Sequence, residues 1–179
     1  IHDWPTLVPV NDYTRYIGDA LALVAAETLP QAEAAAEKIR VEYEVLPPVT
    51  DPVKAMQENA PRVHPGGNML LHVYINRNEP EEKLATAAHA VTRTYKLPFT
   101  DHAFMEPESS VAYFENDTLT VLTASQNVYS DRDTIARTLG VPPEQVRVRA
   151  MCVGGGFGGK EDVVLQHHAA LLAYHTKRP

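Results

Sequence analysis

The chain has 179 residues, a net charge of −7, 44% hydrophobic and 22% charged residues. That balance belongs to a folded chain with a buried core, one medium domain or two small ones. It excludes several classes: no basic block offers a nucleic-acid face, no apolar run reaches the ~18 residues of a membrane span, and Ile1-His2-Asp3-Trp4-Pro5 lacks the basic-then-apolar start of a signal peptide. A cytoplasmic location is therefore expected. The single Cys152 allows no internal disulfide; it is expected to be buried beside a glycine-rich stretch, without the basic partner a reactive thiol needs.

In chain order, residues 20–27 form an apolar run that predicts a strand, and residues 30–40 predict a helix with Pro30 at its first position. Residues 41–45 predict a second strand, closed by Pro47-Pro48, in a βαβ-like pattern compatible with parallel pairing. A helix over 51–59 starts with Asp51 as N-cap and Pro52 at the first position. Residues 61–68, with two prolines and two glycines, read as a linker. A strand is predicted over 88–97, with Val91 and Tyr95 on one face and Thr92 and Thr94 on the other. Residues 109–114 and 118–123 predict a hairpin around Glu115-Asn116-Asp117. A helix over 130–139 takes Ser130 as N-cap and stops at Gly140. Residues 145–151 predict a strand and residues 162–174 a helix.

Between those last two elements runs Val153-Gly154-Gly155-Gly156-Phe157-Gly158-Gly159-Lys160-Glu161, with five of the chain's nine glycines. Glycines so dense let the backbone adopt φ > 0 and approach a ligand closely, and successive N–H groups can converge on an anion. One Phe left among them reads as a wall against something. Gly154, Gly156 and Gly159 match the dinucleotide spacing, a weak signal alone that should open a βαβ unit, and the sequence reaches Pro179 before a second strand could appear. Gly154, Gly159 and Lys160 match a phosphate-binding P-loop up to its last position. There Glu161 replaces the Ser or Thr that holds Mg²⁺ and would repel phosphates. A glycine turn without a ligand stays open.

A longer constellation surrounds this run: His102-Ala103-Phe104-Met105-Glu106-Pro107-Glu108, then Thr123-Ala124-Ser125-Gln126-Asn127, then Ile135-Ala136-Arg137-Thr138-Leu139-Gly140 and Val141-Pro142-Pro143-Glu144-Gln145. This order resembles the molybdenum hydroxylases, in particular the large molybdopterin-binding subunit of the xanthine dehydrogenase and aldehyde oxidase family. The resemblance is most specific over residues 102–179. Upstream, Tyr16-Ile17-Gly18-Asp19-Ala20 and Val41-Glu42-Tyr43-Glu44-Val45 resemble the family's α/β-hammerhead region. It implies an α+β / α/β fold with mixed sheets and packed helices. Residues 1–60 would be the C-terminal part of a hammerhead domain, 61–68 a linker, and 69–179 the N-terminal part of a molybdopterin-binding domain. The chain is expected to be a piece of a longer one.

By this resemblance Gln126 matches a glutamine whose neutral amide hydrogen-bonds an oxygen ligand of molybdenum. Phe157 matches a ring beside the metal that also walls the substrate pocket. Gly156 and Gly158 match backbone positions close to the cofactor, and Glu161 a substrate-facing glutamate of the xanthine-oxidising branch. Two plainer readings stay open: Gln126 as an ordinary strand-end residue, and Glu161 as a carboxylate at a helix N-terminus. No protein ligand to the metal is implied, because the pterin carries it, and no catalytic residue is assigned, because the general base is expected outside this stretch. The implied activity is oxidation of a purine-like N-heterocycle or an aldehyde with water as oxygen source. Iron–sulfur clusters and FAD on partner domains or subunits would take the electrons. The contrasting reading is a non-enzymatic glycine-loop module that binds an anion or a protein partner. The eight histidines, His2, His64, His72, His89, His102, His167, His168 and His175, show no zinc-ligand spacing, although His168 and His175 could share a helix face.

Overall fold

The computed structural model describes residues 4–179, so His2 and the first three positions of the N-terminal stretch lie outside it. The elements run α1 (Leu29–Ala36), α2 (Pro52–Ala55), α3 (Pro80–Thr86), β1 (Ser110–Glu115), β2 (Thr118–Thr123), α4 (Val128–Leu139), a 3₁₀ turn at Pro143–Gln145, β3 (Val146–Ala150) and α5 (Gln166–Thr176). The fold is mixed α+β, as the sequence predicts. Two compact units divide it: one joins the chain up to Glu42 with Asp101–Pro179, the other is Tyr43–Thr100. Residues 61–68 fall within the second unit.

The first unit is built on a three-stranded sheet of order β1-β2-β3. β1 and β2 form the predicted hairpin, with Glu115 opposite Thr118. Asn116 and Asp117 turn it at φ 49° and 64°. Two successive positive values define a type I′ turn, and Asn and Asp are among the few side chains that tolerate them. β3 pairs parallel to β2, from Leu119↔Val146 to Thr123↔Ala150. α5 packs on β1 and β2 and against α4. The core gathers Ala112, Leu119, Val121, Ile135, Ala136, Val146, Ala170 and Ala173. Each large aliphatic side chain buried there stabilises the fold by about 1.5–3 kcal/mol.

α4 starts earlier than expected. Its N-cap is Asn127, not Ser130: the Asn127 Oδ1 accepts from the Ser130 N–H at 3.2 Å, and Ser125 Oγ accepts from the Asn127 N–H at 2.9 Å. Asn caps as well as Ser, and here a second hydroxyl holds it in place. Gly140 ends the helix as predicted, at φ 67°. Its N–H donates to Arg137 at 3.3 Å and the Val141 N–H to Ala136 at 3.0 Å, the two bonds of a Schellman motif.

Several expected elements do not form. Residues 20–27, 41–45 and 88–97 join no ladder, so the predicted βαβ unit is absent from the described residues. Their β-branched and aromatic content favours extended backbone, but a strand requires a hydrogen-bonded neighbour as well. α1 stops at Ala36, short of Arg40, where its last turn tightens through Lys38→Ala35 and Ile39→Ala36 bonds. Asp51 caps α2 as predicted, accepting from Val53 and Lys54 at 2.9 and 3.0 Å, but that helix is a single turn. α3 was not anticipated; Pro80 at its start and Glu81-Glu82 in its first turn are the signals that encode it. α5 begins at Gln166 rather than 162, because residues 161–165 form bends and irregular backbone.

Candidate functional site

Gln126 lies three residues beyond the end of β2, and the glycine run follows β3. The two are stitched together. The Gln126 backbone N–H donates to the Lys160 carbonyl at 3.0 Å. Its side-chain Oε1 accepts from the Gly158 and Lys160 N–H groups, both at 3.2 Å. Two backbone donors on one atom fix it as the oxygen, so the Nε2 end of the amide is the one turned elsewhere. Gln126 is exposed. Within the loop, Gly159 donates to Gly156 at 2.8 Å and Glu161 to Gly158 at 3.3 Å.

The glycines are required by what lies against them. A Cβ on Gly156 would collide with the Gln126 amide, and one on Gly154 with the Glu106 carboxylate. A Cβ on Gly159 would stand 2.8 Å from the His102 ring and 3.1 Å from Phe104. Gly155 and Gly158 sit at φ 153° and 94°. Phe157 is itself left-handed, at φ 53°, and the residue is 75% exposed. A bulky residue in that region is uncommon and strained, and such strain concentrates at functional sites.

His102, Phe104 and Glu106, at alternate positions of one segment, thus form one flank of the loop. Behind them lies Lys160, only 1% exposed. Its ammonium pairs with Glu106 Oε1 and sits 4.2 Å from the centroid of the Phe104 ring. The same Oε1 accepts the Gly154 N–H at 2.8 Å. The Lys160 hydrogen bond first, then the Gly154 N–H, hold the Glu106 carboxyl down to about 2. Lys160 is therefore consumed inside the protein and unavailable to a phosphate, which removes the P-loop reading.

The profile of the molybdopterin cofactor-binding domain family matches residues 63–179. The chain belongs to that family. A Bacillus subtilis relative, named as a probable xanthine dehydrogenase subunit, is 41% identical over 180 residues, covering 100% of this chain and 24% of that protein. The nicotinate dehydrogenase large molybdopterin subunit of Eubacterium barkeri is 37% identical, covering 100% of this chain and 42% of its own. The aldehyde oxidoreductase of Desulfovibrio gigas superposes with a TM-score of 0.73 at 28% identity, over 86% of this chain and 17% of that one. The chain thus spans less than half the length of each of these proteins.

The residues present fit the family's cofactor. The neutral Gln126 amide, the positive-φ Gly155 and Gly158 and the exposed Phe157 lie together at the loop, where the Glu106 carboxylate is already engaged by Gly154 and Lys160. Gln126, Gly156, Phe157 and Gly158 are brought together in it. Glu161 is next to this group, exposed, and five residues before the first residue of α5. The helix-terminus reading of Glu161 is therefore corrected: the helix starts too late to act on it. Cys152 is exposed, not buried, since it lies beyond the end of the outer strand β3. Sequence reasoning quoted Glu106 without giving it a role and weighed Lys160 only as a phosphate ligand. The alternation His102, Phe104, Glu106 beside a lone cation in a glycine run was the available signal.

Proposed function

We propose that this chain supplies one wall of the cofactor and substrate site of a molybdopterin-dependent hydroxylase. The observation that carries this is the Gln126 amide: both backbone bonds to its oxygen come from the glycine loop, which leaves the Nε2 of this exposed residue to donate, without bringing a charge, to an acceptor in the cofactor. Gly158, exposed and at positive φ, lets that acceptor approach the backbone, and Gly156 leaves room for the Gln126 amide itself. Phe157 excludes water beside it and packs against substrate. Glu161 accepts an N–H of the substrate and so favours a purine-like N-heterocycle over an aldehyde. When bound, the molybdenum cofactor supplies hydroxylation with water as the oxygen source and takes up two electrons. None of this chain's residues is assigned the general base.

The relatives support this class: they are named as xanthine, nicotinate and aldehyde oxidoreductases, and none as a non-enzymatic binding module. The same reading places iron–sulfur clusters and FAD on partner domains or subunits, in the cytoplasm; among the described residues no helix is long and apolar enough to cross a membrane. The match beginning at residue 63 supports a molybdopterin-binding domain that starts near the 61–68 linker; the assignment of residues 1–60 to a hammerhead end rests on the resemblance of residues 16–20 and 41–45.

The test uses the complete, loaded protein. Gln126→Ala is expected to alter the Mo(V) spin-resonance spectrum. Glu161→Ala is expected to leave the spectrum unchanged and to reduce turnover of a purine more than that of an aldehyde, because a site built to bind an N–H discriminates strongly against ligands lacking it. An unchanged spectrum in Gln126→Ala overturns the assignment of the site. Equal losses on both substrates in Glu161→Ala overturn the purine preference.

A further inference from the structure

We propose that Lys160 and Glu106 are positioning residues that set the shape of the glycine loop and, through it, the placement of Phe157 and Gln126. This deepens the functional reading above and rests on it for its consequence in catalysis. The geometry itself stands on its own.

Glu106 reaches both ends of the loop with one atom: Oε1 takes the Gly154 N–H at 2.8 Å and the Lys160 ammonium. A single carboxylate oxygen thereby closes residues 154–160 into a ring. Lys160 is tied a second time through its backbone, whose N–H and carbonyl both bond Gln126, at 3.2 and 3.0 Å. A displacement of Lys160 is thus passed to the Gln126 amide. Between those ties lies Phe157, held at φ 53°, a conformation that persists only where the surroundings over-determine it.

The Lys160 ammonium is costly to bury. An ammonium that is 1% exposed is tolerated only because a carboxylate and the face of Phe104 surround it. Glu106 is not a proton acceptor in waiting. Its Lys160 and Gly154 donors keep it ionised, and its Oε2 is buried without a partner among the described residues. Both facts point to holding, not proton transfer. An apolar pair at such a site is often as stable as an ion pair; what the charge supplies here is a fixed direction for Gly154 and Lys160, both bonded to Glu106 Oε1.

The experiment compares Lys160→Met, Glu106→Gln and the double variant E106Q/K160M in the complete protein. Amide hydrogen exchange is followed in the cofactor-free state, with molybdenum content and kcat against KM measured after loading. Each single variant is expected to speed exchange across residues 154–160 by at least about tenfold, while β1 and β2 keep their protection. kcat is expected to fall with little change in KM. The double variant strands no charge but still lacks the carboxylate that closes the loop, so it is expected to keep the sheet protected and leave the loop in fast exchange. Unchanged loop exchange in Lys160→Met and Glu106→Gln overturns the proposal. So does restoration of loop protection in the double variant, or loss spread evenly over sheet and loop, since either marks a merely structural pair. Loop exchange decides the positioning role alone, whereas failure of the unaltered protein to hold molybdenum decides against the functional reading.

Discussion

Two stretches of β-forming sequence meet opposite fates. In residues 119–121 Leu119 and Val121 are 2% and 0% exposed, inside a ladder with neighbours on either side. In residues 70–75 Leu70, Val73, Tyr74 and Ile75 are 61–84% exposed, and no ladder forms. None of Tyr43–Thr100 is buried, although its β-branched and aromatic content would suit a strand. The difference is supplied by partners. β2 has the β1 hairpin beside it and α5 packed on it, whereas the second unit offers its apolar residues no such cover among its own elements. Strand preference is a statement about a pleated, half-covered surface more than about the backbone.

The comparison breaks if side chains from the two units prove equally important to the 179-residue chain. Ile135→Ala removes a fully buried side chain and is expected to destabilise by about 2–5 kcal/mol in urea unfolding. The next effect concerns acid. His167 stacks on His168 at 4.1 Å, and burial, helped by His168, lowers it from 6.5 to about 4. The unfolded chain therefore takes up this proton first. Stability is expected to be intact above pH 6.5 and to fall as pH drops towards 4, by roughly 2 kcal/mol once partial exposure is allowed for. His167→Gln should flatten that part of the pH profile. A profile that stays steep in the variant assigns the acid sensitivity elsewhere. Asn127→Ala removes the α4 cap and is expected to shift stability by about 1 kcal/mol. Smallest of all, Ile75→Ala, at 84% exposure, should stay within about 0.5 kcal/mol. An Ile75 effect as large as that of Ile135 would show that the second unit is packed in solution, and the contrast drawn above would vanish.

Local chemistry was readable where it was self-contained. Asn116-Asp117 announced a tight turn, Gly140 a helix end and Asp51 a cap, since each acts within a few residues of itself. The strands at 20–27, 41–45 and 88–97 were misread because a ladder depends on a neighbour that no window of the sequence contains. The Asn127 cap was missed because Ser130 satisfies the same rule, and only the Ser125 hydroxyl behind Asn127 decides between them. At the site, the clustering of Gly156, Phe157 and Gly158 was written in the glycine density. The partnership of Gln126 with that loop rested on a family resemblance, which the fold then gave a mechanism through the two N–H groups on Oε1. Glu106 and Lys160 are 54 positions apart in the chain, and no periodicity joins them.

The parallel pairing of β2 and β3 has a topological consequence. Gln126 and Gly158 are 32 residues apart, yet each lies on the segment that leaves the carboxyl end of a strand, and in a parallel pair those two ends share one rim of the sheet. Open α/β sheets place ligands at this rim. The α4 crossover can therefore lengthen or change without parting the two halves of the site, provided the register holds. Sliding β3 by two residues would keep every side chain on its face and still carry the glycine loop about 6–7 Å along the sheet, out of reach of the Gln126 amide. Thr123 opposite Ala150 is in that sense a measuring point, and strand alignment is a coordinate of the site as real as any side chain in it.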